Sequence, residues 1–269
     1  MNLEQKYYES DAFWRNGMLE DSSNKQRILR TIEIIPKDIK SLLDVGCGNG
    51  VFVNLLSTET RISVTGTDRS ETALSYVKTN KFQSDITTLS DANQKTYDIV
   101  TCLEVLEHIP SNVYEKALQE LTLASEKYLL ISVPFNEKIE CNMVNCPKCL
   151  SQFNADLHFR KYTSTEINTL FGDEFKLISS ENIVKRRVGF LFNFVNRIKH
   201  LFRNKTQFNS PVCVVCGFEN TNFQHDELKL ESTNDNKLSF KTRVIQLIDK
   251  ALPKINIPGY WVIALYERK

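Results

Sequence analysis

Residues 41–50, Ser-Leu-Leu-Asp-Val-Gly-Cys-Gly-Asn-Gly, constrain the fold more than any other stretch of the chain. Leu42, Leu43 and Val45 make a short apolar run suited to a buried parallel strand, and the run closes with Asp44 and three alternate glycines. Glycines there supply a tight turn and let the backbone approach a ligand at the start of the next helix. The stretch therefore predicts an α/β protein with a nucleotide-type pocket at the end of its first strand. Spacing narrows the ligand. A dinucleotide fingerprint reads Gly-x-Gly-x-x-Gly, whereas Gly46, Gly48 and Gly50 run as Gly-x-Gly-x-Gly with bulky Val51 next, and a Walker lysine is missing. The plain alternative is a glycine turn that binds nothing.

Upstream, Tyr7, Tyr8, Phe13 and Trp14 crowd a polar N-terminal stretch. Asn24 to Ile35 then places Ile28, Leu29, Ile32 and Ile35 on one helical face, with Pro36 as its stop, so residues 1–40 read as an aromatic arm and a covering helix. Downstream, Asn49 to Ser57 is expected as the helix whose N-terminus faces the ligand. Arg61 to Thr67 is the second strand and ends in Asp68, about 20 residues past the turn, where an acid accepts hydrogen bonds from ribose hydroxyls. Ser70 to Thr79 follows as a helix, and then strands over Lys81–Gln83, Tyr97–Leu103 and Lys127–Val133, with a helix from Ser111 to Ser125. Thr163 and Glu166 have capping-box spacing and open a helix to Phe171; strands close the domain at Phe175–Ile183 and Tyr260–Tyr266. Residues 41–183 with 259–269 thus read as the core, and 134–157 and 184–258 as insertions.

Asp44-x-Gly46-x-Gly48-x-Gly50, the later Asp68, and the string Tyr97-Asp-Ile-Val…Glu104-Val-Leu-Glu-His108-Ile resemble motifs of class I S-adenosylmethionine (SAM)-dependent methyltransferases. The last string looks very like the fourth motif of the ubiquinone-biosynthesis type and related small-molecule enzymes. The resemblance implies a Rossmann-like seven-stranded sheet in the order 3-2-1-4-5-7-6 with helices on both faces. It also implies a SAM site. Asp44, Gly46, Cys47, Gly48, Asn49 and Gly50 would hold the amino-acid end and ribose side, Asp68 with Arg69 the ribose, Asp85 and Ile86 the adenine, and Leu103 and Glu104 the edge at the fourth strand. An aromatic arm over the cofactor mouth is common in such families.

Seven cysteines without a secretory leader pattern argue for metal or thiol chemistry over a disulfide framework. Cys146-Pro-Lys-Cys149 and Cys213-Val-Val-Cys216 are two Cys-x2-Cys pairs with turn residues, the ligand count of a structural zinc site. Cys141 is an alternative ligand and His158 a further one, while Cys47 and Cys102 are expected as core thiols. The pairs, with Phe153…His158-Phe-Arg160-Lys-Tyr162 between them, resemble a bacterial-type group of methyltransferases that carry two such knuckles. Leu150 departs from the glycine common at that knuckle position.

A net charge of +1 gives no footprint for nucleic acid, and no uncharged run approaches the ~18 residues of a membrane span, so the expectation is a cytoplasmic enzyme with a small-molecule or glycan acceptor. Residues 186–203 read as a basic amphipathic helix, able to lie on a membrane, on an anionic substrate or on its own domain. Lys241 to Leu252 reads as another amphipathic helix. A sulfonium methyl needs alignment more than activation, and a hydroxyl acceptor also needs a proton acceptor. His158 and His108 are the catalytic candidates, and His200 and His225 lack context. Two other functions fit the sequence. Glu104-x-x-Glu107-His108 with His158 resembles the magnesium or manganese site of small-RNA 2′-O-methyltransferases, and the knuckles would also suit a non-catalytic interaction protein on this fold.

Overall fold

The computed structural model describes residues 8, 9, 11, 14, 22–183, 186–189, 213–218, 254–257 and 259–269. A helix, α1 (Ser22–Ile34), precedes β1 (Ser41–Val45), α2 (Val51–Glu59), β2 (Ser63–Asp68), α3 (Glu71–Leu74), β3 (Asn80–Gln83), α4 (Leu89–Ala92), β4 (Tyr97–Leu103), α5 (Tyr114–Ala124) and β5 (Ser125–Pro134). The hairpin strands β6 (Met143–Asn145) and β7 (Gln152–Asn154) follow, then α6 (Ser164–Thr169), β8 (Phe175–Ile183), β9 (Arg186–Gly189), β10 (Lys254–Ile257) and β11 (Trp261–Arg268). Seven strands form one sheet in the order β3-β2-β1-β4-β5-β11-β8. Renumbered along the core, this is the expected 3-2-1-4-5-7-6. Strands β1 to β5 pair in parallel, and β11 runs antiparallel to both of its neighbours.

Residues of successive parity in the central strands enter opposite cores, as the strand repeat of two requires. Leu43, Val45, Val100, Cys102, Leu129 and Ile131 pack on one face, and Leu42, Ile99, Leu130 and Ile263 on the other. Burial on both faces is why β1, β4 and β5 read as near-continuous apolar runs. Asp98 anchors the start of β1: its Oδ2 accepts the N–H groups of Lys40 (2.7 Å) and Ser41 (3.1 Å), and Lys127 pairs with Oδ1 at 2.9 Å. The capping box at Thr163 and Glu166 is present as expected.

Two expected helices differ. The one expected over Ser70–Thr79 is only Glu71–Leu74, because outside side chains take the groups a longer helix would use. Lys81 Nζ donates to the carbonyls of Leu74 and Val77, and Asn54 bonds both Tyr76 O and Lys78 N. The basic helix expected over 186–203 does not begin where the sequence placed it: Arg186–Gly189 is β9, paired antiparallel with β10. That pairing satisfies the backbone in extended form; residues 190–203, and the helix expected at Lys241–Leu252, lie outside the described residues. Among the described residues no helix is long and apolar enough to cross a membrane.

Candidate functional site

The glycine turn after β1 folds back on β2 through Gly46 N and Cys47 N, which both donate to Thr67 O at 2.8 and 3.0 Å. Gly46 and Gly48 have φ of 75° and 53°, and each is in contact with a bulky side chain. A Cβ at Gly46 would meet Val105 at 2.4 Å, and one at Gly48 would meet the Trp14 indole at 2.7 Å. The turn is therefore clasped between the loop after β4 and the N-terminal arm. Asn49 Nδ2 donates to Trp14 O (2.8 Å), Trp14 Nε1 to Tyr8 O (2.6 Å) and Ser70 Oγ to Tyr8 O (2.9 Å). The Arg69 guanidinium lies 4.9 Å from the Tyr8 ring centre. Tyr8 and Trp14 of the arm thus lie against the turn; Tyr7 and Phe13 lie outside the described residues.

Two buried acids, Asp44 and Asp68, lie at the turn. Asp68 accepts from Gly48 N and Ser70 N, both at 2.9 Å, while Thr101 Oγ1 donates to Asp44 Oδ1 at 2.6 Å. Burial pushes the Asp44 carboxyl up to about 7, with the Asp68 charge adding to the shift and the Thr101 bond opposing it. Burial also raises Asp68, against its backbone N–H bonds. Burial raises the Cys47 thiol well above its ordinary range, in keeping with an inert core thiol. Asp85 accepts from Thr87 N and Oγ1 through Oδ1 and caps the short turn of Ile86–Thr88, with Ile86 buried beneath it.

Arg27 is the residue that sequence pattern missed. It is 5% exposed, its guanidinium stacks 5.4 Å from the Trp261 ring centre, and its Nε is buried without a hydrogen-bond partner among the described residues. Its charge acts on both Asp44 and Glu107. The apolar face of α1 hid it, although Ser23, Arg27 and Thr31, four residues apart, are all buried and form a polar stripe. Arg27 and Asp44 are thus a buried basic group and a buried acidic group close enough for the charge of one to act on the other, a combination suited to the two charged ends of an amino acid.

At the end of β4 the chain turns through Glu104, whose φ is 60°, and Ser132 Oγ donates to its carboxylate. Glu107 is 1% exposed, and among the described residues neither of its carboxylate oxygens has a hydrogen-bond partner; His108 Nδ1 is also buried and unpartnered there. Burial, then the Glu104 charge, raises Glu107 well above the carboxylate range. Burial and the neighbouring His158 push His108 down to about 3, so its ring is neutral. The rings of His108 and His158 meet edge to face with centres 4.8 Å apart, and ligand atoms of Glu107, His108 and His158 lie within 4.8 Å of one another. Phe159 N donates to Glu107 O (2.8 Å), which holds the 157–162 segment against this loop. The two histidines, which the sequence brought together only in the metal-site resemblance, thus form one cluster with Glu107, and Val105 carries it up to the glycine turn. A cavity of about 260 Å³ lined by Phe135, Ser164 and Ser180 opens elsewhere, at the β8 edge, and its one acid, Glu181, is paired with Arg30.

The four knuckle cysteines converge. Sγ atoms of Cys146 and Cys216, and of Cys149 and Cys213, are each 3.7 Å apart. Four sulfurs about 2.3 Å from a zinc ion would be about 3.8 Å apart along each edge of the tetrahedron, so the set fits that ion. Each knuckle repeats one backbone pattern. Cys146 N donates to Ser151 O and Leu150 N to Cys146 O, both 2.9 Å; Cys213 N donates to Phe218 O and Gly217 N to Cys213 O, both 2.8 Å. Leu150 has φ of 60°, where Gly217 has 72°, so leucine takes the left-handed turn that glycine makes in the other knuckle. His158 clusters with Glu107 rather than with the thiols, and the side chain of Cys141 lies outside the described residues.

The strand order, the glycine turn and the paired acids define a class I SAM-dependent methyltransferase. The chain belongs to the methyltransferase domain family, whose model matches residues 18–174. The ubiquinone biosynthesis O-methyltransferase of Idiomarina loihiensis is 38% identical over 80 residues, covering 26% of this chain and 32% of that one. The Vibrio atlanticus protein of the same name is 36% identical over 80 residues, covering 26% and 33%. The match thus spans about a third of the length of these curated relatives. Among solved structures, a SAM-dependent methyltransferase from Archaeoglobus fulgidus superposes with a TM-score of 0.54 at 17% identity, covering 97% of this chain and 99% of that one. The magnesium protoporphyrin IX methyltransferase of Synechocystis, solved with bound SAH, gives 0.51 at 17% identity, covering 67% and 92%. These two share the fold.

Proposed function

We propose that the protein transfers the methyl group of SAM to an oxygen of a small metabolite, glycan or lipid-linked acceptor. The observation that carries this reading is the Glu107–His108–His158 cluster, joined through Val105 to the glycine turn. Proton-accepting groups there adjoin the cofactor cradle. SAM, when bound, supplies a methyl group on a sulfonium whose leaving group is a neutral thioether. Asp44 and Arg27 bind its ammonium and carboxylate ends, Asp68 takes the ribose hydroxyls, Asp85 and Ile86 meet the adenine, and the glycine turn admits the backbone contact. His158 takes the acceptor proton, and neutral His108 orients the loop. The O-methyltransferase relatives and the +1 net charge favour a small or glycan acceptor over nucleic acid. Zinc on Cys146, Cys149, Cys213 and Cys216 braces the acceptor side and, with four thiolates, takes no part in chemistry. Native mass spectrometry with S-adenosylhomocysteine, followed by labelled-methyl transfer to a panel of hydroxylated acceptors, tests the reading. One cofactor per chain and label on oxygen support it; no cofactor bound overturns it.

One observation favours a second reading. Both Glu107 oxygens and His108 Nδ1 are buried without partners among the described residues, a costly arrangement that a cation would relieve. Glu107, His108 and His158, with Glu104 nearby, would then hold magnesium or manganese, which would polarise the acceptor oxygen or a ribose diol. Manganese titration followed by electron paramagnetic resonance decides between them: stoichiometric binding lost in Glu107→Gln favours the cation, and no binding returns His158 to proton transfer alone.

A further inference from the structure

His158 has two ring nitrogens, and the structure commits only one of them. Nδ1 is 2.5 Å from Glu137 Oε2, and the two side chains are 8% and 12% exposed. No hydrogen bond reaches Nε2 among the described residues. We infer that Glu137 is the positioning residue of the site: its carboxylate accepts Nδ1–H, fixes His158 in the Nδ1-protonated tautomer, and so leaves the Nε2 lone pair as the working atom. A neutral imidazole has one donor and one acceptor, and the partner of one nitrogen decides which the other becomes. An ionised carboxylate only accepts, so its partner must be the protonated nitrogen.

Glu137 is itself held. Asn136, with φ of 57°, turns the chain just past β5, and its N–H donates to Tyr162 O at 2.8 Å, with Phe135 bridged to Tyr162. Tyr260 OH donates to Glu137 Oε1 at 3.3 Å, so the carboxylate bridges the start of β11 and the imidazole. The backbone around His158 is fixed from the other side: Asn154 Oδ1 accepts from Asp156 N (2.9 Å) and His158 N (3.3 Å), and Asn154 Nδ2 donates to Ile139 O (3.0 Å). A ring clamped in this way presents Nε2 in one direction. A carboxylate behind a working histidine is the arrangement that sets ring orientation both in proton transfer and in metal ligation. The assignment rests on His158 acting at the acceptor and holds under either chemistry proposed for it.

Long-range proton–nitrogen spectra of the full-length, uniformly labelled protein, recorded above neutral pH, report the tautomer directly; loss of one ring system in His158→Gln assigns it. The wild type is expected to show a protonated Nδ1 and an unprotonated Nε2. In Glu137→Leu nothing is left at that position to accept Nδ1–H, so the ring is expected to move towards the Nε2-protonated form and the two nitrogen shifts to converge or exchange; a merely structural glutamate would leave them unchanged. A wild-type ring protonated at Nε2 overturns the inference, even if the variant does not fold. Unchanged shifts in a folded Glu137→Leu overturn it as well. The readout needs neither cofactor nor acceptor. A protein with the expected tautomer that fails to bind S-adenosylhomocysteine would sink the methyl-transfer reading and leave Glu137 in place.

Discussion

Asp44 makes cofactor affinity depend on pH in a calculable way. Its carboxyl is held near 7 because it is buried, lies near Asp68 and has only Thr101 as a hydrogen-bond donor among the described residues. If the cofactor ammonium binds the ionised form, the apparent dissociation constant scales as one plus the ratio of protonated to ionised Asp44. Between about pH 8 and about pH 5.5 that factor changes about 30-fold, or about 2 kcal/mol. The sign for the unliganded fold follows from the same shift. The folded carboxyl binds its proton more tightly than the unfolded one, so the fold loses stability as pH rises from about 4 to about 7. A cofactor ammonium bound against Asp44 would offset that loss by favouring the ionised form. Isothermal titration with S-adenosylhomocysteine across this range, repeated in buffers of different ionisation enthalpy, measures both the affinity and the released proton. Asp44→Asn should bind weakly and lose the pH slope. A wild-type affinity flat across the range would refute the reasoning, and a slope retained in Asp44→Asn would transfer it to Asp68.

Arg27→Met should preserve the fold, since its aliphatic stem packs like the arginine, and should weaken S-adenosylhomocysteine binding by at least tenfold; an unchanged dissociation constant would remove the carboxylate role. Leu150→Gly should raise thermal stability by about 1 kcal/mol, because a leucine that is 78% exposed gives up little packing and its left-handed backbone strain disappears. A lower melting temperature in the zinc-loaded variant would count against the matched knuckles. Asp98 is held down to about 2 by Lys127 and the N–H groups of Lys40 and Ser41. Its folded pKa lies below the unfolded value, so about 2 kcal/mol of stability present above pH ~4 is lost as pH falls towards ~2. Asp98→Asn should flatten that part of the acid denaturation curve, followed by circular dichroism.

Much of the scaffold was legible because it depends on local rules. The glycine turn, the apolar strands and the Thr163 capping box announce themselves by spacing, and the strand order followed from the family those motifs resemble. What escaped depends on partners far away in sequence. Arg27 looks like one more solvent-facing basic residue of α1, with Lys25 and Arg30, until Asp44 and Trp261 are seen near it. Glu137 carries no motif; only the fold brings it to His158. Residues 186–189 have a helical pattern, but pairing with 254–257 overrides it. The cysteine pairs were visible as pairs, yet the likeness of Leu150 to Gly217 appears only in backbone angles.

Strand β11 has a consequence for how the chain is made. It lies between β5 and β8, so β5 has no neighbour on its outer side, and β8 no place in the sheet, until residues 261–268 have been synthesised. On the ribosome the parallel half can form first, with the backbone edge of β5 open to any other extended segment. The long-range closure by β11 then governs both the speed of folding and the interval of exposure to aggregation. A fusion that delays release of these residues should prolong that interval, whereas a peptide corresponding to β11, supplied in trans, should shorten it.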